Sequence, residues 1–332
     1  MKRSICRSDI GFGRGQLPEA EGEHKSMGDL LYQKIGLAVN RMAQDFMSRA
    51  EGERIPSISE YQEKLQVSRG TVQNSLAYLK EKGAVWLVSR GHMGTYIEKL
   101  DYRRLQECGM NKGLLGSMPL PYSVSYQGLA TALYRVLDNF EFNLVYTRGS
   151  ESRLQLVAEG VYQFTVCSLY AAEKAMKNRT DIEIAGNLGL GSYLSRHVLL
   201  LRDIGAEGIQ EGMRVAYDRT SLDQRDITDM ITSGIRGIRF VELRAHQTVN
   251  AIRGGMIDAG VWNMDEIIES GYQGLHIIPL DDLVDVSKFS TAALVIRRGE
   301  ESLKQLLQRY VKTSEIRKIQ EDIKKGRIPV DY

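Results

Sequence analysis

Pro56-Ser57-Ile58-Ser59-Glu60, then Leu65-Gln66-Val67-Ser68-Arg69-Gly70-Thr71-Val72-Gln73-Asn74-Ser75-Leu76, then Leu79-Lys80-Glu81-Lys82-Gly83-Ala84-Val85, then Arg90-Gly91-His92-Met93-Gly94-Thr95-Tyr96-Ile97: these phrases decide the N-terminal fold. Ser57 is placed to cap a short helix over Ile58–Leu65, and Glu60, three residues on, closes a capping box. Val67-Ser68 makes a turn, and Ser68 caps the next helix. Along that helix Val72, Leu76 and Leu79 recur at helical spacing, so one face is apolar. The other carries Arg69, Gly70, Gln73 and Asn74, side chains suited to phosphates and base edges. Gly83 ends the helix. Ala84–Ser89 and Thr95–Lys99 alternate as strands, with Arg90–Gly94 as their loop. A helical hairpin with a merely solvated polar face does not account for the glycine-bounded loop.

This order resembles the winged helix-turn-helix of GntR-type bacterial transcription regulators, over roughly residues 29–99. The resemblance implies that Arg69, in the Ser-Arg-x-Thr-Val run, contacts DNA. Two positions depart from the usual pattern: Gln73 and Ser59 stand where arginines are common. Glutamine reads adenine where arginine prefers guanine, so the preferred DNA should differ from that of typical relatives. The expected interface is Ser57, Ser68 and Thr71 on the backbone, Arg69, Gly70, Gln73 and Asn74 in the major groove, and Arg90, Gly91 and His92 of the wing alongside.

The 332 residues carry a net charge of only +2, so no global basicity argues for nucleic acid. Locally, from Lys64 to Arg104, eight Lys/Arg face three Asp/Glu, which suits a phosphate-facing surface. Cys6, Cys108 and Cys167 are too few and too scattered for a disulfide framework or zinc site, and fit a reducing cytoplasm. The histidines show no ligand spacing, so no metal is expected. No run reaches membrane-spanning length, and the basic N-terminus lacks the apolar core of a secretory signal. Residues 1–26, poor in apolar side chains, read as a flexible tail. A helix over 28–49 follows, with Leu31, Ile35, Ala38, Val39, Met42 and Phe46 on one stripe. It completes a DNA-binding domain over 27–100.

Residues 101–112 read as a charged linker, partly helical. From 113 onward short apolar strands alternate with amphipathic helices in two successive series, which predicts α/β architecture with parallel sheets. Joins near 196–202 and 286–297 divide 113–332 into two lobes, one of about 113–198 with 288–332 and one of about 199–287. The pattern is that of type 2 periplasmic-binding-protein-like domains. Specific phrases add to it: Ser117-Met118-Pro119-Leu120-Pro121-Tyr122-Ser123, Tyr126-Gln127-Gly128-Leu129-Ala130, Arg148-Gly149, Val215-Ala216-Tyr217-Asp218, Asp223-Gln224 and Ile257-Asp258-Ala259-Gly260-Val261-Trp262-Asn263. With them the chain, from Leu31 to its end, resembles the YhfZ family of bacterial transcription regulators. That resemblance implies a DNA-binding domain joined to a small-molecule-binding one, and supplies no ligand.

In such sheets ligands bind beyond the carboxyl ends of strands, at helix N-termini. The residues expected around a cleft are Ser117, Pro119, Tyr122, Ser123, Arg148, Ser168, Asp218, Arg219, Ser221, Trp262 and Asn263, with Arg148 and Arg219 as a clamp for an anionic group. No nucleophile motif, Walker loop or defensible carboxylate pair is present, so neither catalysis nor a cofactor is expected. The expectation is a cytoplasmic regulator that binds a double-stranded operator as a homodimer and answers a small-molecule effector. The alternatives are an enzyme tethered to DNA and a solute receptor, the latter opposed by the missing signal.

Overall fold

The computed structural model describes residues 27–109 and 113–332, with side chains from Lys34 onward. The expected N-terminal tail lies outside the described residues. The winged unit is α1 (Met27–Met47), α2 (Ile58–Leu65), α3 (Arg69–Glu81), β1 (Val85–Ser89) and β2 (Thr95–Leu100), followed by α4 (Tyr102–Gly109). Ala38, Val39, Met42 and Phe46 of α1 are buried together with Tyr61, Leu65, Val72, Leu76 and Leu79. Leu31 of the expected stripe lies outside the described side chains. β1 and β2 pair antiparallel, and an isolated bridge from Arg54 to Tyr96 adds a short third strand. One carboxylate anchors the helices: Asp45 of α1 accepts from Arg49 (2.8 Å), from the Tyr61 hydroxyl (2.8 Å) and from Lys64 of α2 (2.7 Å).

The segment expected as a charged linker is, over Tyr102–Gly109, a packed helix. Its charges conceal a stripe: Leu105 is buried, and Gln106 is buried by a two-way bond with the backbone of Glu141, donating to the carbonyl (2.8 Å) and accepting from the amide (2.6 Å). Asn40 and Gln44 of α1 donate to the last carbonyl of α4, at Gly109 (2.9 and 2.7 Å). The C-terminus of α4 is thereby capped by α1.

The first lobe opens with β3 (Leu114–Met118), α5 (Val124–Val136), β4 (Phe142–Tyr146), α6 (Ser150–Ala158), β5 (Phe164–Ser168), α7 (Leu169–Asn178) and β6 (Ile182–Asn187). The chain crosses into the second lobe: β7 (His197–Leu201), β8 (Arg214–Tyr217), α8 (Leu222–Thr232), β9 (Arg239–Glu242), α9 (Thr248–Arg253), β10 (Ala259–Asn263), α10 (Met264–Glu269), β11 (His276–Pro279) and α11 (Val286–Ser290). It returns through β12 (Ala292–Arg297) and ends with α12 (Glu301–Tyr310) and α13 (Thr313–Lys324).

Each lobe holds a five-stranded sheet, ordered β4-β3-β5-β12-β6 in the first and β11-β7-β10-β8-β9 in the second. The wholly parallel sheets expected from the alternation are not what forms. β3 is parallel to β4 and β5, and β8 to β9 and β10, but β12 and β7 run antiparallel to their neighbours. These are the two strands by which the chain enters each sheet from the other lobe. They are inserted inside each sheet, which is why β7 after His197 and the first five residues of β12 are apolar on both faces and buried. The C-terminal α13 lies along α5. There Gly128 lets the helices close, a Cβ at that position falling 3.2 Å from the Gln320 backbone, and Gln320 donates to the carbonyls of Ser125 and Ser192.

Candidate functional site

Two surfaces carry chemistry, and the first is the exposed side of α3 and the wing. The Ser57 hydroxyl accepts from the Glu60 amide (3.2 Å) while the Glu60 carboxylate accepts from the Ser57 amide (2.6 Å), completing the capping box. Ser68 caps α3 by accepting from the Thr71 amide (3.2 Å), and its hydroxyl also meets that of Thr71 (2.9 Å). With Val72, Leu76 and Leu79 turned inward, α3 presents Arg69, Gly70, Gln73 and Asn74 to solvent. Thr71 differs from expectation: it is buried and its hydroxyl is engaged with Ser68, so it shapes the helix start rather than offering a donor outward.

The wing tip is a single 3-10 turn, Gly91–Met93, with Arg90, Gly91, His92 and Met93 exposed. The Arg90 guanidinium stacks over the Tyr96 ring at 4.5 Å. Gly94 turns the chain back at φ 99°, and a Cβ there would meet the Arg54 Nε at 2.7 Å. Arg54 therefore lies directly beneath the wing.

The second surface is a cavity of about 290 Å³ between the lobes, at the carboxyl ends of β3, β4, β8 and β10. Of the residues expected there, Pro119, Tyr122, Arg148, Asp218, Ser221, Trp262 and Asn263 line it. Four do not. Ser117 is buried within the sheet, donating to the Thr165 hydroxyl (2.9 Å). Ser123 is buried as the cap of α5. Ser168 caps α7 and donates to the Asp223 carboxylate (2.7 Å), holding that side chain from behind. Arg219 points outward to Glu242 (3.0 Å), so the expected partner of Arg148 is absent from the cavity. Ser221 precedes α8 but does not cap it; its hydroxyl engages Gln224.

The cavity also recruits residues that were not expected there. Arg153, in the second turn of α6, is 2% exposed; it donates to the carbonyls of Thr147 (2.9 Å) and Val166 (3.3 Å), and its Nε has no partner among the described residues. His197, equally buried, has an unpartnered Nδ1. Burial holds its imidazole neutral, with its pKa lowered to about 4. Asp223 at the start of α8 is pushed up to about 7 by burial, against the pull of the Ser168 hydroxyl and Arg153. At the mouth, His246 stacks on Tyr122 (5.6 Å, 12°), Trp262 meets Tyr122 edge-on, and Arg148 and Arg244 stand alongside. Trp262 spends its indole N–H on Glu266 (2.9 Å) and contributes an apolar wall.

Gly149 is the N-cap of α6, at φ 73° and without a side-chain cap, so the first amides of α6 remain open to the cavity. A Cβ on Gly149 would lie 2.9 Å from Thr220 of the other lobe. A larger groove, about 630 Å³, runs between α1, α2 and the loop after β12. None of the buried unpartnered polar groups lines it, and the interlobe cavity is the better site.

A family model described as the YhfZ C-terminal domain matches residues 101–332, and one described as a helix-turn-helix domain matches residues 50–97. The uncharacterized protein YhfZ of Escherichia coli (strain K12) is 29% identical over 278 residues, covering 84% of this chain and 91% of that protein. The crystal structure of YhfZ from Shigella flexneri matches 66% of this chain and 93% of its own, at 30% identity and a TM-score of 0.56. The periplasmic aliphatic sulphonate binding protein SsuA from Escherichia coli is more distant, at 13% identity and a TM-score of 0.48, with 64% and 74% covered. With its helix-turn-helix domain and its two-lobed α/β unit, the chain belongs to the YhfZ family.

Proposed function

We propose that this protein is a cytoplasmic, effector-responsive transcription regulator, binding operator DNA through α3 and the wing as a homodimer and sensing a small anionic molecule in the interlobe cavity. The observation that carries the effector half is the convergence of Arg148, Arg153 and Arg244 on one cavity while none of them pairs with a carboxylate among the described residues. An anion also suits the open amides of α6. The DNA half rests on the exposed Arg69, Gln73 and Asn74 at the start of a capped helix, with Arg69 donating to a base edge or phosphate and Gln73 and Asn74 reading bases. A dimer is invoked because one winged unit buries too little surface for tight specific binding.

A second reading, an enzyme tethered to DNA, draws on one observation: Asp223 beside the cavity is held near neutral pKa, where a general acid or base works best. Turnover of a bound cavity ligand would establish it.

Fluorescence anisotropy on DNA from upstream of its own gene, against scrambled DNA across a salt series, tests the regulator. Preference that survives moderate salt is expected. Binding that ignores sequence and vanishes with salt, for a selected library as well, overturns it.

A further inference from the structure

The cavity has two ends of like chemistry. At its mouth are the exposed Arg148 guanidinium, Arg244, and the uncapped amides of α6 behind Gly149. At its floor are the Arg153 Nε–H and the His197 Nδ1, both buried and both without a partner among the described residues. The amide nitrogen of Gln224 faces His197 Nε2 at 3.5 Å; in that orientation Nε2 accepts and Nδ1 carries the proton. The floor therefore offers two N–H donors.

Asp223 completes the floor. Its Oδ1 accepts from Ser168. Arg153, Asp226, Ser168 and the paired Tyr126 and Tyr193 hydroxyls surround it. A carboxyl that is half protonated near neutrality, as this one is, can donate a third hydrogen bond. Buried donors left unmade are costly, and a ligand oxygen reaching them recovers that cost.

We infer that the effector is a short two-headed acid, with a phosphate, phosphonate or carboxylate at the mouth and a second carboxyl group at the floor. The inference rests on the anion reading above and goes beyond it by assigning the floor its own acidic head. The rings of Tyr122, Trp262 and Pro119 give the cavity an apolar wall, which suits a short carbon chain joining the two acidic heads.

Isothermal titration of the full-length protein with matched pairs tests this: glutarate against valerate, and 3-phosphonopropionate against propylphosphonate. At least one diacid is expected to bind tenfold or more tightly than its monoacid partner. Arg148→Ala should weaken both members of that pair, and His197→Phe should erase the diacid's advantage while sparing the monoacid. Equal affinity within both pairs overturns the second head and leaves the anion reading standing. An advantage that survives His197→Phe also overturns the floor assignment. Binding of none of the four acids at millimolar concentration overturns both readings. The comparison of pairs on the unsubstituted protein decides the matter even if His197→Phe does not fold.

Discussion

At the scale of single residues, the decisive groups differ in how far they announce themselves. Arg69 does so, because a serine cap and an apolar heptad fix which way it faces. Arg69→Ala is expected to cost roughly 1–3 kcal/mol of specific DNA binding with the thermal melt unchanged; anisotropy and calorimetry on the same preparation check it. Asp223 shows in the sequence only as part of the Asp223-Gln224 phrase, and nothing there places it at the cleft, since tertiary packing alone buries it. Its native pKa of about 7 lies above the value of about 3.9 in an unfolded chain. Between those values the native state binds the extra proton, so this group's contribution to stability falls as pH rises from about 4 to about 7. Asp223→Asn should therefore raise the melting temperature more at pH 8 than at pH 4.5, in paired thermal scans. Asp45 runs the other way. Burial would raise its carboxyl, but the bonds from Arg49, Lys64 and Tyr61 outweigh burial and hold it below the usual range. Its stabilisation is present above about pH 4 and is lost as pH falls through the lowered pKa. Gly149 combines a left-handed φ with contact against Thr220. Gly149→Ala should lower the melting temperature and weaken acid binding together.

At the scale of elements, the winged unit was legible in the sequence almost residue by residue. Its caps, turn and strands are local, and local chemistry decides them. α4 was not. Five of its twelve surrounding linker positions are charged, while its anchor is the long-range pair of bonds between Gln106 and the Glu141 backbone. Gln106→Ala would remove both bonds and leave the Glu141 amide without its partner, while the Glu141 carbonyl keeps its bond from the Leu114 amide. A loss of about 1–3 kcal/mol in unfolding stability is expected, measured by denaturant titration. The direction of β7 and β12 was equally hidden: periodicity marks a strand as buried but carries no sign for parallel or antiparallel pairing. In the cavity, the loops at strand ends were readable from α/β geometry, which is why seven expected residues line it. Arg219 was misplaced because adjacent loop residues point to opposite sides, and Arg153 was missed because a helical arginine ordinarily reads as surface.

At the scale of the whole molecule, the winged unit rests on the first lobe. Arg309 of α12 donates to the Ser48 carbonyl and pairs with Glu53, both at 3.0 Å. Tyr102, Phe140 and Tyr310 pack as three mutually tilted rings at the junction. The lobes meet at several places: at the start of α8, Leu222 joins a core otherwise built from first-lobe residues and Asp226 accepts from Tyr170 (2.7 Å) and Lys174; Phe289 of α11 stacks on Tyr170; and Glu269 of α10 accepts from the Val124 amide at the start of α5 (2.7 Å). Asp223 sits on that turn of α8, between the cavity and Ser168. A ligand that engages the floor would act on one of the turns that join the lobes, and α1, packed against α4, α12 and α3, is the element that would carry a shift of the first lobe to α3.

The most direct test is the affinity for a selected operator, measured by anisotropy with and without a saturating cavity-binding acid, on the unsubstituted protein and on Arg148→Ala. The acid is expected to change operator affinity in the first and leave it unchanged in the second. An operator affinity indifferent to the acid in both, or shifted equally in both, would contradict that expectation.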